Sequence, residues 1–92
     1  MIKSWSHKGL KAFFEKGSLA GIIPQHAKRL KLILQLLNAA HKPTMMDLPG
    51  LRFHRLKGSR QNYFSVTVRA NWRLIFQFDG EDALLVDYID YH

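Results

Sequence analysis

Cysteine is absent from these 92 residues, which excludes disulfides, thiolate-held metals and a cysteine nucleophile. Long apolar runs are absent as well. None approaches the ~20 residues of a membrane-spanning helix, and the opening residues carry no signal-peptide pattern. With 6 glycines and 3 prolines, collagen-like and low-complexity sequence are out. No glycine-rich phosphate loop, Ser–His–Asp order or helix-turn-helix signature occurs. His7, His26 and His41 lack metal-ligand spacing and read as helix or loop surface. Asp87-x-x-Asp90-x-His92 has the donor types for a metal, but the surrounding cations argue against one, and no cofactor is expected. A cytoplasmic chain with no membrane contact is the expectation.

Acidic residues are scarce too, and unevenly placed. Fourteen Lys and Arg stand against seven Asp and Glu, for a net +7. All fourteen fall within residues 1–73 beside only Glu15 and Asp47, a net +12. Residues 74–92 hold Asp79, Glu81, Asp82, Asp87 and Asp90 and no Lys or Arg, a net −5. Such a basic surface favours a polyanionic partner, nucleic acid or the ribosome.

What is present is globular material: 47% apolar and 23% charged, enough for one modest core in a single domain over residues 1–92. Residues 2–5 read as a short strand. Ser6 offers an N-cap to a helix over 8–16, where Leu10, Phe13 and Phe14 share a face and Gly17 ends the turn. Pro24 stands at the first position of a second helix over 25–40. Its stripe of Ala27, Leu30, Ile33, Leu34 and Leu37 keeps the 3.6-residue period. Residues 41–50, with Pro43 and Pro49, read as a loop.

From residue 51 the period becomes two. Strands are predicted over 51–56, 63–69, 72–78 and 83–88. Phe64, Val66, Val68 and then Leu74, Phe76, Phe78 form one face. Turns fall at Lys57-Gly58-Ser59, Ala70-Asn71 and Asp79-Gly80-Glu81-Asp82. The fold class that follows is α+β: a mostly antiparallel sheet with two N-terminal helices packed on one face.

If the sheet closes in hairpin order, His54, Lys57, Arg73 and the tail Asp90-Tyr91-His92 converge on its other face, with Arg60 and Arg69 close by. Such a set suits RNA cleavage by the chain's own side chains. A base takes the 2′-hydroxyl proton, cations hold the phosphate, and an acid protonates the leaving oxygen. Each residue also has a plainer role. Lys57 and Arg60 fit a solvated turn, Arg73 could pair with Asp87 or stack on Trp72, and a terminal His92 could simply fray.

The run His54-Arg55-Leu56-Lys57-Gly58-Ser59-Arg60, the run Ser65 to Arg73 ending Asn71-Trp72-Arg73, and the ending Asp87-Tyr88-Ile89-Asp90-Tyr91-His92 closely resemble the HigB toxins, RelE-like toxins of bacterial type II toxin–antitoxin modules. Ile2-Lys3-Ser4-Trp5 and Lys8-Gly9-Leu10 fit as well, so the likeness covers nearly the whole chain. The resemblance implies a RelE-like, microbial-ribonuclease-like fold and an endoribonuclease that cuts messenger RNA in the ribosomal A site. It implies a HigA-type helix-turn-helix antitoxin as partner, with the 70S ribosome, its 16S RNA and mRNA as targets. DNA would be reached only through the antitoxin. Carried over by motif, His54 and Asp90 are the leading acid/base candidates, and Arg73 stabilises the phosphate. Lys57 and Arg60 contact RNA or support the transition state, with Lys57 and His92 counted among the catalytic residues, and Tyr91 and His92 orient or stack on the substrate. Relatives often carry His where Ile89 stands and Asn where Arg69 stands, so the terminal role rests on His92 and Arg69 is an RNA-binding residue. The alternative is a basic module that binds RNA or the ribosome without cutting, or acts only within a repressor complex.

Overall fold

In the computed structural model, which describes residues 1–91, two helices pack on one face of a four-stranded antiparallel sheet ordered β1-β2-β3-β4. The α+β expectation holds. Helix α1 (Lys8–Lys16) starts from His7 rather than Ser6. The His7 backbone is extended, and its Nδ1 accepts the Leu10 N–H at 2.9 Å. A ring nitrogen thus satisfies an orphan donor that a serine oxygen usually takes. Gly17, at φ +74°, ends the helix, its N–H donating to Phe13 O.

Pro24 opens a 3₁₀ turn (Pro24–His26) that leads into α2 (Ala27–Ala39). The α2 stripe behaves as its period requires, with Leu30, Ile33, Leu34 and Leu37 wholly shielded from water. Each such leucine contributes about 1.5–3 kcal/mol on burial. The segment after α2 is not a plain loop. A 3₁₀ turn (Pro43–Met46) drives Met46 fully into the core.

The strands are β1 (His54–Arg55), β2 (Phe64–Arg69), β3 (Trp72–Asp79) and β4 (Asp82–Asp90). The strand expected over 51–56 shrinks to two residues because Arg52 adopts φ +50°, which no extended strand accommodates. Its flanks still bond to β2 and the residue before it: Leu51 O accepts the Thr67 N–H (2.7 Å), and the Leu56 N–H donates to Tyr63 O (2.9 Å). Residues 2–5 form no regular strand either. They make two isolated parallel bridges to β4, Ile2 with Ala83 and Trp5 with Val86.

The last strand is longer than predicted and carries a bulge. Ile75 pairs with Asp87 and Gln77 with Leu84, so one extra β4 residue is accommodated, and Leu85 takes φ +53°. The bulge changes which side chains face the helices. Ala83, Val86 and Tyr88 enter the core beside Val66, Val68, Leu74 and Phe76. Among the described residues no helix is long and apolar enough to cross a membrane.

Candidate active site

Strand register fixes what stands on the open face of the sheet. One row runs His54–Ser65–Ile75–Asp87 across all four strands. The neighbouring row runs Thr67–Arg73–Ile89. His54 and Arg73 therefore share a face, two strands and one pleat repeat apart, about 12 Å between Cα atoms at ordinary sheet spacing. Side chains of their length can both reach a phosphate held between them.

His54 is exposed, and its Nδ1 lies 3.0 Å from Arg52 O. A carbonyl can only accept, so the neutral ring carries its proton on Nδ1 and presents the Nε2 lone pair outward. Such a ring is arranged to take a proton. Arg73 is half-buried, and its Nη1 donates to Ala70 O (2.6 Å) and Trp72 O (3.3 Å). Those bonds hold the β2–β3 turn, where Ala70 sits at φ +51°. They anchor the guanidinium by one nitrogen and leave the Nε and Nη2 hydrogens for an anion.

Lys57 and Arg60 are exposed on the 3₁₀ turn that follows β1, beside Gly58 at φ +72°. Arg69 and Asp90 belong to a different row, Arg69–Trp72–Asp90, at the end of the sheet. By register this row shares the helix-packed side with Trp72 and Tyr88. The structure thus places His54 and Arg73 together, Lys57 and Arg60 on the adjoining turn, and Asp90 with Arg69 around Trp72. The tail passes the β2–β3 turn: the Tyr91 N–H donates to Asn71 O at 2.7 Å, and Tyr91 is exposed. His92 falls outside the described residues, and with it the role expected of the terminal ring and the full Asp87/Asp90/His92 metal spacing.

Behind the Trp72 row lies a cluster of rings that sequence patterning assigned wrongly. His26 is buried, not on a surface. Its Nδ1 meets the Tyr88 hydroxyl, and its ring meets the edge of Trp72 at 5.8 Å between centroids. Trp72 and Tyr88 are 4.6 Å apart, and His7 stands edge-on to Tyr88 at 5.6 Å. Burial, and next the charge of Arg69, push the His26 pKa below the ordinary histidine value. Burial pushes the Tyr88 phenol up, against a smaller opposing effect of a backbone hydrogen bond with Ile23. Both groups stay neutral near neutral pH.

Ser65 and Thr67 also escaped the sequence reading. Both lie on β2 between His54 and Arg73, Ser65 buried and Thr67 with a buried hydroxyl that has no hydrogen-bond partner among the described residues. Small polar residues in a strand carry no signal of their own; only register shows them to be the floor between two charged neighbours.

The charge on this surface is largely unneutralised. Among the described residues the one ion pair within 4.0 Å joins the N-terminal amine to Asp82 at 3.7 Å, and none involves a Lys or Arg side chain. Of the chain's fourteen cations, Arg73 stands on this face and Lys57 and Arg60 on the adjoining turn, none of them within 4.0 Å of a carboxylate among the described residues.

The structure is a sheet with helices on one face and with His54 and Arg73 on the other. The family described as the RelE-like toxin of type II toxin–antitoxin system HigB matches residues 3–92, and the chain belongs to that family. It is 46% identical over 92 residues to the Endoribonuclease HigB of Proteus vulgaris, covering the whole of both chains. It is also 33% identical over 95 residues to Toxin HigB-1 of Vibrio cholerae serotype O1, covering all of this chain and 98% of that one. Membership of a toxin–antitoxin family implies an antitoxin partner.

Proposed function

We propose that the chain is an endoribonuclease that cuts messenger RNA in the ribosomal A site and so halts translation and growth. It would act as a single domain over residues 1–92. What carries this reading is the placement of His54 and Arg73 on one sheet face, neither of them in an ion pair among the described residues, in a chain whose full-length relative is named an endoribonuclease.

The chemistry needs three services. A base removes the 2′-hydroxyl proton, and the 2′-oxygen then attacks the adjacent phosphorus. The bond from phosphorus to the 5′-oxygen breaks, leaving a 2′,3′-cyclic phosphate. An acid returns a proton to the 5′-oxygen. His54, with its Nε2 lone pair outward, is the leading group for proton transfer on the open face; Asp90, which register puts at the end of the sheet beside Arg69 and on the helix-packed side, and His92 are the other candidates. Arg73 offers its free N–H groups to the phosphorane oxygens, with Lys57 beside it. Arg60, Arg69 and Tyr91 hold RNA, the cations by charge and the exposed tyrosine by stacking.

The partners in this reading are a HigA-type helix-turn-helix antitoxin, the 70S ribosome with its 16S RNA, and mRNA. DNA is met only through the antitoxin, no metal or organic cofactor takes part, and the compartment is the cytoplasm. The test is primer extension on a defined mRNA with and without programmed ribosomes. Cuts that require ribosomes are expected. Cuts on naked RNA would make the chain a free ribonuclease, and arrested translation with intact mRNA would make it a binding module only.

A further inference from the structure

Between β1 and β2 the chain folds around a cleft of about 480 Å³ lined by Arg55, Leu56, Lys57, Gly58, Gln61 and Asn62. Arg55 alternates with His54 and so leaves the open face at the adjoining edge. It is not a loose surface arginine. Its guanidinium carbon lies 5.7 Å from the centroid of the Phe64 ring, and its Nε donates to Gln61 O at 3.2 Å. Phe64 is itself stacked on Phe53 (5.6 Å) and Phe76 (6.1 Å). An aromatic face and a carbonyl therefore fix the guanidinium plane before any ligand arrives, leaving its Nη groups to point elsewhere.

The cleft has no negative charge of its own. No Asp or Glu occurs anywhere from residue 48 to residue 78, and neither Arg55 nor Lys57 pairs with a carboxylate among the described residues. Beside the two cations stand the side-chain amides of Gln61 and Asn62, each able to donate and to accept. Gly58, at φ +72°, bends the chain so that cations and amides line one hollow. Cations at a fixed fork with amides next to them match a nucleotide: phosphate on the first, base edge or ribose on the second.

We infer that this cleft is a nucleotide subsite, holding one nucleotide of single-stranded RNA beside the scissile bond, with Arg55 as its phosphate anchor and Gln61 and Asn62 as its polar readers. Lys57, three residues from His54 in sequence, also lines the cleft. The inference rests on RNA being what the face holds. It adds Arg55, Gln61 and Asn62 to the residues that position substrate.

The experiment is an NMR titration of the full chain with a 2′-O-methylated RNA trinucleotide, which cannot be cut because it lacks the attacking hydroxyl. Inorganic phosphate is titrated in parallel. Saturable shifts are expected at the Gly58, Gln61 and Asn62 amides and at Arg55 Nε–H. Arg55→Gln should weaken the trinucleotide about tenfold and lower the slope of log affinity against log salt by about one. Lys42→Gln, which removes a cation outside the cleft, should do neither. Arg55→Lys, which keeps the charge and loses the planar stack, should fall between Arg55→Gln and the unaltered chain. Replacing Gln61 and Asn62 with alanine should weaken the trinucleotide and leave phosphate unaffected. Unchanged binding in a folded Arg55→Gln, or shifts that phosphate alone reproduces with no gain from the nucleotide, would overturn the subsite. Cleavage by the unaltered chain is scored separately, so binding here without cutting supports the subsite and sinks the nuclease reading alone.

Discussion

The Tyr88 hydroxyl stands 2.5 Å from His26 Nδ1, joining the entry of α2 to β4 across 62 residues of sequence. With the ring neutral, the phenol donates and Nδ1 accepts, which leaves the imidazole proton on Nε2. Trp72 packs against both rings. The helix layer is thereby fastened to the part of the sheet that carries Arg69, Asp90 and Tyr91.

This contact makes stability depend on pH in a definite direction. His26 titrates below its unfolded value of 6.5, so the unfolded chain takes up a proton that the folded chain refuses. Its contribution is fully present above 6.5 and is lost as pH falls from there through the lowered folded pKa. Urea midpoints measured from pH 7.5 to 5 should decline over that window, and a folded His26→Gln should decline less. Tyr88→Phe, which leaves a buried Nδ1 unpaired, should lose about 1–2 kcal/mol at neutral pH. Equal midpoints for Tyr88→Phe and the unaltered chain would show that the bond contributes nothing.

Replacing His54 with alanine should lower the cleavage rate about 10²–10⁴-fold while leaving the urea midpoint within about 0.5 kcal/mol, because the ring is exposed. Arg73→Ala should cost activity and some stability together, since Nη1 also holds the carbonyls of Ala70 and Trp72. Toxicity on expression and single-turnover cleavage on ribosomes read the first effect, and denaturation reads the second. Full activity in both folded variants would remove these residues from the site.

Association with ribosomes or RNA should weaken steeply with salt, because cations with no carboxylate within 4.0 Å among the described residues displace condensed counterions. A plot of log affinity against log salt between 50 and 200 mM, a range over which several phosphate contacts cost about 10³-fold or more, should be linear with a negative slope. A flat plot would mean that the basic face makes no phosphate contacts.

Two glycines should tolerate alanine far less than a third. A Cβ on Gly9 would stand 2.9 Å from Gly21 Cα, and one on Gly21 would stand 2.9 Å from Gly9 Cα. The first turn of α1 and the loop ahead of Pro24 cross there without room for a methyl group, so either substitution should cost about 1–3 kcal/mol. At Gly17 nothing lies within 4 Å of an added Cβ, and only the left-handed φ of +74° is strained, at a cost of about 1 kcal/mol. Thermal unfolding of the three variants orders these effects.

The helices, three of the four strands and the open-face pairing of His54 with Arg73 were legible in the sequence because period and register are local properties. What escaped depends on contacts made across the fold. His26 looks like any polar residue after a proline; only the arrival of Tyr88 and Trp72 makes its burial tolerable. The cap passed from Ser6 to His7 because a ring nitrogen can reach the Leu10 N–H, a use of histidine that propensity does not anticipate. The bulge at Leu85 shifted the alternation of β4, bringing Asp87 to the open face and placing Asp90 opposite Trp72. Its one trace in the sequence is the spacing of the buried residues, three positions from Ala83 to Val86 and two from Val86 to Tyr88.

The bridges from Ile2 to Ala83 and from Trp5 to Val86 carry a consequence for the order of events during synthesis. The segment of Ile2 and Trp5 has partners on α1 and α2, Phe14 and Asn38, but its backbone bridges wait for β4, which is made much later and also brings Ala83, Val86 and Tyr88 to the core. A nascent chain shows its cations before the acid-bearing strand and the segment beside Asn71. The face that carries Asp87 and Arg73 is therefore completed only after β4 has emerged, later than every Lys and Arg.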